Sequence, residues 1–250
     1  MATSRERVHE RLIRVGGETA ALEELGAGPP VVLLASMMVR ACTYRALARA
    51  LARRFHVIVV ELPGSGRGSR LDAPWDFAQH ARWCAELLPA LGLTGARVIG
   101  HSNSGAVALV LGALHPERLS RLVLVDTVGV RPLESVSEVV RRRALDVPDE
   151  LRFNLRAAPA LLYNCLFHAA TCLEGTILAV TEDLTAYARR LRVPTLVAWG
   201  ARDHTTPVDD ARVLHGLVPG AELHVSATGS HDWLVEEAEA FARVVGEFVG

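Results

Sequence analysis

Five short runs dominated by apolar, mostly β-branched residues recur along this chain, at positions 31–34, 57–60, 96–99, 122–125 and 195–199. They do not alternate with polar residues, so each reads as a strand covered on both faces. Between them the period changes. Tyr44, Leu47, Ala48 and Leu51 fall at i, i+3, i+4 and i+7, the spacing of one face of a helix. Residues 77–91, 103–114, 208–217 and 233–248 are also helical in pattern, and 222–225 is strand-like. Residues 11–15 and 20–24 flank Gly16-Gly17 and read as an opening hairpin. Such alternation predicts an α/β fold, a mainly parallel doubly wound sheet with helices on both faces. Residues 127–192 break the rhythm with three helical patterns and no strand, and their apolar residues concentrate at 157–173. They read as a helical lid inserted between two strands, with extra core helices as the alternative. The expected division is a core of 1–126 and 193–250 and a lid of 127–192. At 250 residues the chain can bury roughly three quarters of its unfolded surface, enough for one large domain.

Composition removes several kinds of chemistry. All 27 basic residues are arginine, so catalysis through a lysine Schiff base and phosphate binding by a Walker-type lysine are excluded. The net charge of −1 is dispersed, and no nucleic-acid partner is expected. Arg141-Arg142-Arg143 reads as a solvated helix face. No apolar run approaches the roughly 20 residues of a membrane span, and residues 1–9 are polar. The expectation is a cytoplasmic protein with no membrane partner. The four cysteines, Cys42, Cys84, Cys165 and Cys172, lie far apart and read as small hydrophobes. Neither a metal nor a cofactor is expected.

In a sheet of this kind ligands bind beyond the C-terminal ends of the strands. The residues that follow the predicted strands are Ala35-Ser36-Met37-Met38, the loop at 63–68, Ser102, Asp126, Asp203 and Ser230-His231. Ser102 sits at the apex of Gly100-His101-Ser102-Asn103-Ser104-Gly105, between a strand and a helix. A serine hydroxyl is a poor nucleophile. It becomes useful when a tight turn holds it beside a base and a helix N-terminus. The chain order Ser, Asp, His is one of the orders in which a nucleophile, an orienting acid and a base recur.

These segments resemble the α/β-hydrolase fold superfamily over nearly the whole chain. Gly100 to Gly105 resembles its nucleophile elbow, with Ser104 where a second glycine is usual. The strand and turn ending in Gly200-Ala201-Arg202-Asp203 resembles the segment that carries its acid. Gly229-Ser230-His231-Asp232-Trp233 resembles its histidine loop. Glu61-Leu62-Pro63-Gly64-Ser65-Gly66-Arg67-Gly68-Ser69 resembles its D-x-P-G-x-G-x-S loop, with Glu for Asp and an extra glycine. The resemblance implies that Ser102 attacks a carbonyl carbon, His231 moves the proton and Asp203 fixes the imidazole tautomer. Asp126 is a rival acid, otherwise expected to cap the first turn of the lid. His101 is expected as packing, and His204 as pointing away. The usual His-Gly of the oxyanion loop is replaced by Ala35-Ser36, as a similar non-His-Gly pair is in the 3-oxoadipate enol-lactone hydrolases, so the implied donors are the backbone amides of Met37 and Asn103.

A serine nucleophile implies acyl transfer to water from an ester, thioester, lactone or activated C–C bond, and the expected small-molecule substrate is a small or medium ester, thioester or lactone bearing an apolar acyl part. Residues 160–167 read as lining an apolar pocket with Met37, Met38 and Trp233 near its mouth, or else as packing the lid onto the core. Two alternatives stay open: a lyase or cofactor-free oxygenase that uses His231 as base, and an inactive ligand-binding member.

Overall fold

The structure, a computed structural model, describes residues 7–131 and 135–250. The chain opens with a hairpin of β1 (His9–Val15) and β2 (Glu18–Leu25), turned at Gly16 and Gly17, which both have positive φ. Strand and helix then alternate through β3 (Pro30–Leu34), α1 (Arg45–Leu51), β4 (His56–Glu61), α2 (Phe77–Ala90), β5 (Ala96–His101), α3 (Asn103–Leu114) and β6 (Leu119–Val125). Four helices follow: α4 (Val136–Asp146), α5 (Leu151–Phe167), α6 (Ala169–Thr181) and α7 (Thr185–Ala188). The alternation resumes with β7 (Thr195–Gly200), α8 (Val208–Leu217), β8 (Glu222–Ser226), α9 (Trp233–Glu236) and α10 (Ala238–Val249).

The eight strands form one sheet in the order β1-β2-β4-β3-β5-β6-β7-β8. β2 is antiparallel to both β1 and β4, and every other pairing is parallel. The order reverses at β3, which lies between β4 on one side and β5 on the other. A crevice opens at such a reversal, because the connections leave in opposite directions. The loops after β3 and β5, which carry Ser36 and Ser102, flank it.

The continuous apolar strands are split by the pleat. Val32, Leu34, Ile58, Val60, Leu122 and Leu124 join the core layer shared with α2, α3 and α8. Their neighbours Val31, Leu33, Val57, Val59, Val123 and Val125 join the layer shared with α1 and α10. Each fully buried Leu or Val contributes roughly 1.5–3 kcal/mol. Helix α2 starts at a capping box in which Asp76 Oδ1 accepts from the Gln79 N–H (2.6 Å) and Gln79 Oε1 accepts from the Asp76 N–H (2.9 Å).

Two expectations need correction. Residues 233–248 form two helices, because Glu237 leaves the helical region (φ −107°, ψ 39°) while its carboxylate accepts from Ser226 Oγ (3.2 Å) and Thr228 Oγ1 (2.6 Å). The segment between β6 and β7 holds four helices among its described residues, one more than the patterns suggest, and its apolar side chains divide between core and solvent. Leu161, Leu162, Leu166, Phe167 and Leu173 are exposed, and α5 presents an open stripe of Leu151, Leu155, Leu162 and Leu166. No single helix among the described residues is long and apolar enough to cross a membrane.

Candidate active site

Ser102 is held at φ 55°, ψ −122°, a left-handed conformation unusual for a residue with a side chain. The strand and helix on either side approach too closely for bulk. A Cβ on Gly100 would lie 2.5 Å from the Ser104 carbonyl oxygen, and one on Gly105 would lie 2.4 Å from Thr127 Oγ1. The glycine one place late is therefore the one the packing against Thr127 requires. Ser104 is fully buried, and its hydroxyl donates to the Ala35 carbonyl (2.7 Å). The serine that departs from the usual elbow thus ties the elbow to the end of β3.

The β7 and β8 loops bring two more side chains to this point. His231 Nε2 lies 3.0 Å from Ser102 Oγ, and His231 Nδ1 lies 2.9 Å from Asp203 Oδ2. All three residues are buried. Thr206 holds the carboxylate, donating from its N–H to Asp203 Oδ1 (2.7 Å) and from its hydroxyl to Oδ2 (2.6 Å). Burial disfavours the charged imidazole. The Asp203 carboxylate outweighs it, Asp232 adds to the attraction, and the His231 pKa is lifted to about 9. In its neutral form this imidazole can accept the serine proton, because Nδ1–H faces Asp203 and leaves Nε2 as acceptor.

The turn after β3 closes through the Val39 N–H and the Ser36 carbonyl (3.0 Å). The backbone N–H groups of Met37 and Asn103 donate to no acceptor among the described residues. A hydrogen-bonded relay braces this turn. The Ser36 N–H donates to Tyr44 Oη (3.2 Å), Tyr44 Oη lies 2.9 Å from His101 Nδ1, and His101 Nε2 lies 3.1 Å from the His231 carbonyl oxygen. An amide can only donate and a carbonyl can only accept, which fixes the direction. The Tyr44 hydroxyl donates to Nδ1, and Nε2–H donates to His231. Burial, then repulsion from His231, holds the His101 pKa well below its usual value, consistent with this neutral tautomer. The expectation that His101 merely packs is corrected: it joins the serine turn to the histidine loop.

A cavity of about 490 Å³ opens beside Ser102 and His231. Its apolar wall includes Met38 from the β3 turn, Val139 from α4 and Phe153, Ala157 and Leu161 from α5.

A family profile described as "alpha/beta hydrolase fold" matches residues 33–170. The chain belongs to that family. It is 32% identical over 94% of its length to the polyketide synthase ThaQ of Burkholderia thailandensis, and spans only 12% of that much longer protein. It is 30% identical to a 2-hydroxymuconate semialdehyde hydrolase of Pseudomonas putida, covering 77% of this chain and 76% of the relative. Among solved structures, a thermophilic esterase from Thermogutta terrifontis superposes with a TM-score of 0.81 at 22% identity, covering 96% of this chain and 98% of the other.

This α/β hydrolase departs from the expected loop pattern in a consistent way. Glu61, buried where Asp is usual, accepts from the Ala41 N–H (2.8 Å) and the Arg67 N–H (2.7 Å). A Cβ on Gly66 would lie 2.3 Å from its carboxylate. The longer acid thus packs against Gly66, a glycine of the pattern itself, whereas the extra glycine, Gly68, lies against the Leu62 and Ser65 carbonyls. Asn164 of α5, fully buried, accepts from the Gly66 N–H (2.8 Å) and donates to the Met37 and Val39 carbonyls (3.3 Å each). One side chain therefore docks the helical insertion on both loops.

Several side chains lie elsewhere than expected. The Met37 side chain is in the sheet core, and Met38 faces the cavity. Trp233 is buried edge-on to Phe241, with ring centroids 5.0 Å apart, away from the cavity. Asp126 does not cap the insertion. Ser135 Oγ caps α4 by accepting from the Glu138 N–H (3.2 Å), whereas Asp126 Oδ1 accepts from the Gly200 N–H (2.9 Å) in β7. Burial, then the neighbouring Asp203, raises the Asp126 pKa well above the usual carboxylate range. His204 does point away as expected: it is exposed, and its backbone N–H donates to Asp146 (2.9 Å). Arg141 and Arg142 pair with Glu138 on the surface, but Arg143 turns inward to Glu150 and Asp232 (2.5 Å to the latter). No periodicity marks Arg143, Glu150 or Thr206, because their partners are remote in sequence or supplied by a turn.

Proposed function

We propose that this protein is a serine hydrolase that cleaves a small or medium carboxylic ester, thioester or lactone through an acyl-enzyme on Ser102. The observation that carries the reading is the unbroken chain from Ser102 Oγ to His231 Nε2 (3.0 Å) and from His231 Nδ1 to Asp203 (2.9 Å). In this reading His231 removes the Ser102 proton as the oxygen attacks the substrate carbonyl, then returns it to the leaving group. A water activated by the same imidazole hydrolyses the acyl-enzyme. The amides of Met37 and Asn103 receive the oxyanion, and the start of α3 adds a favourable dipole. The apolar cavity wall suits an apolar acyl part. Hydrolase names among the relatives, including the 2-hydroxymuconate semialdehyde hydrolase, support the reaction class.

A fluorophosphonate probe tests the reading. Covalent labelling at Ser102 that disappears in His231→Ala, together with turnover of p-nitrophenyl butyrate, is the expected result. A folded protein that neither labels nor turns over ester or thioester overturns it.

A further inference from the structure

One cation lies among buried acids at the cavity wall, and the reaction proposed above gives it no task. Arg143 of α4 is half-buried, and its guanidinium stands 5.7 Å from the centre of the Phe153 ring. Asp146, Glu150 and Asp232 surround it, and all three are buried. Its Nη2 lies 2.5 Å from Asp232 Oδ2, and its Nη1 pairs with Glu150 and lies 3.9 Å from Asp146 Oδ2. Among the described residues Asp146 and Glu150 form ion pairs with Arg143 alone. Asp232 has besides it only His101, at 3.8 Å, which the relay holds neutral.

Buried carboxylates are costly to keep ionised unless a cation and hydrogen-bond donors compensate them. Two of these three acids reach on to the loops of the site, and the third belongs to one. Asp146 accepts from the His204 N–H (2.9 Å) and from the N–H (2.9 Å) and hydroxyl (2.6 Å) of Thr205, in the turn that carries Asp203 and Thr206. Glu150 accepts from the Asp232 N–H (2.7 Å), the amide directly after His231. The main chain beside both Asp203 and His231 therefore rests on carboxylates that share one guanidinium. That guanidinium comes from the insertion, not from the sheet. Arginine suits the place because its planar fork meets two carboxylates at once, which a lysine ammonium does not.

We propose that Arg143 is a positioning residue for the reaction: as the shared counter-ion of Asp146, Glu150 and Asp232, it sets the two turns that hold Asp203 and His231 against Ser102. It acts through those turns and does not touch the reacting atoms. Its loss therefore falls on the chemical step, since a displacement of about 1 Å in a catalytic group can cost on the order of 10²-fold. The helical insertion is then part of the acid–base machinery and not only a cover over the cavity. This inference rests on the acyl-enzyme reading above.

The test compares Arg143→Ala with Leu178→Ala on p-nitrophenyl butyrate. Leu178, a core residue of α6 outside the cavity wall, reports what a destabilised insertion costs by itself. Arg143→Ala is expected to lower kcat by about tenfold to a hundredfold with KM within about threefold of the wild type. Leu178→Ala is expected to lower kcat far less. Millimolar methylguanidinium, a free cation with the same head group, is expected to restore part of the rate in Arg143→Ala but not in Leu178→Ala, and sodium chloride at equal ionic strength to restore none. The downfield proton resonance of the His231 Nδ1–H, a direct sign of its bond to Asp203, is expected to shift in Arg143→Ala alone. Arg143→Lys keeps the charge without the fork, should fall between the wild type and Arg143→Ala in kcat, and covers the case in which Arg143→Ala does not fold. A kcat loss no larger than in Leu178→Ala, a loss confined to KM, an unmoved His231 resonance, no response to methylguanidinium, or wild-type kcat in Arg143→Lys overturns the inference. If Ser102 is labelled by a fluorophosphonate and the ester is hydrolysed while the Arg143 variants behave as Leu178→Ala does, this inference alone fails. If the wild type neither labels nor turns over, the acyl-enzyme reading fails with it.

Discussion

The sheet and the helical insertion meet over Ser102, and the insertion adds directional polar anchors to the apolar burial that both share. In the sheet, alternate side chains of the same strand enter two apolar layers, and stability comes from area removed from water. The insertion feeds Leu178, Leu184 and Leu191 into one of these layers and Phe153 and Ala157 into the other, but it leaves a leucine stripe on α5 in solvent and adds a few buried polar anchors. Asn164 grips the β3 turn and the Gly66 loop. Asp146 accepts from the Thr205 N–H (2.9 Å) and hydroxyl (2.6 Å), and Glu150 accepts from the Asp232 N–H (2.7 Å). Each of these anchors touches a loop that carries a site residue. The contrast teaches that burial sets the fold, whereas a small number of directional contacts set the site beneath the insertion.

Perturbations can break or sharpen that contrast. The largest expected effect is at the site itself. His231→Ala should reduce kcat/KM by about 10⁴ to 10⁶ with an unchanged circular dichroism spectrum; retention of most activity would remove the imidazole from the reaction. Next comes the sheet. Leu33→Ala should cost about 2–5 kcal/mol in urea unfolding, whereas Leu155→Ala on the exposed α5 stripe should stay within about 0.5 kcal/mol. Equal costs would contradict the division of labour.

The protonation state of His231 gives the third effect. Only the neutral imidazole can act as base, and its pKa is raised to about 9. A kcat/KM profile should therefore climb roughly tenfold per pH unit from pH 7 towards pH 9. Because that pKa is raised on folding, the ion pair stabilises the native state fully below about pH 6.5, and the stabilisation fades as pH rises through about 9. A profile flat above pH 7 would show that Asp203 does not hold the charged form. The smallest effect is in the relay. Tyr44→Phe leaves the Ser36 N–H and His101 Nδ1 unpaired, at a cost of about 1–3 kcal/mol in stability. It should lower kcat more than it raises KM, since what it loosens is the turn carrying the Met37 amide.

Legibility in the sequence followed the same division. Apolar runs with a period change at each end exposed the strands and the helices around them, because burial on both faces leaves no other composition open. Ser102, Asp203 and His231 stood out because each follows a strand, and the structure brings the three together. What stayed hidden were residues whose meaning depends on a remote partner. Arg143 resembled its neighbours Arg141 and Arg142 and yet turned inward, because Glu150 and Asp232 wait there. Asp126 looked like a cap but found the Gly200 amide across the sheet. The exposed leucines of α5 carried the composition of a core without the geometry of one.

The Ser104 hydroxyl on the Ala35 carbonyl, together with the Tyr44–His101 relay, bears on how this enzyme could be re-engineered. Residues 35, 36, 44, 101 and 104 form an interlocked set. The contacts at 35 and 36 are made by the main-chain carbonyl and N–H, which a His-Gly pair grafted from another hydrolase would also supply, so it is Tyr44, His101 and Ser104, which hold the turn with their side chains, that have to be kept.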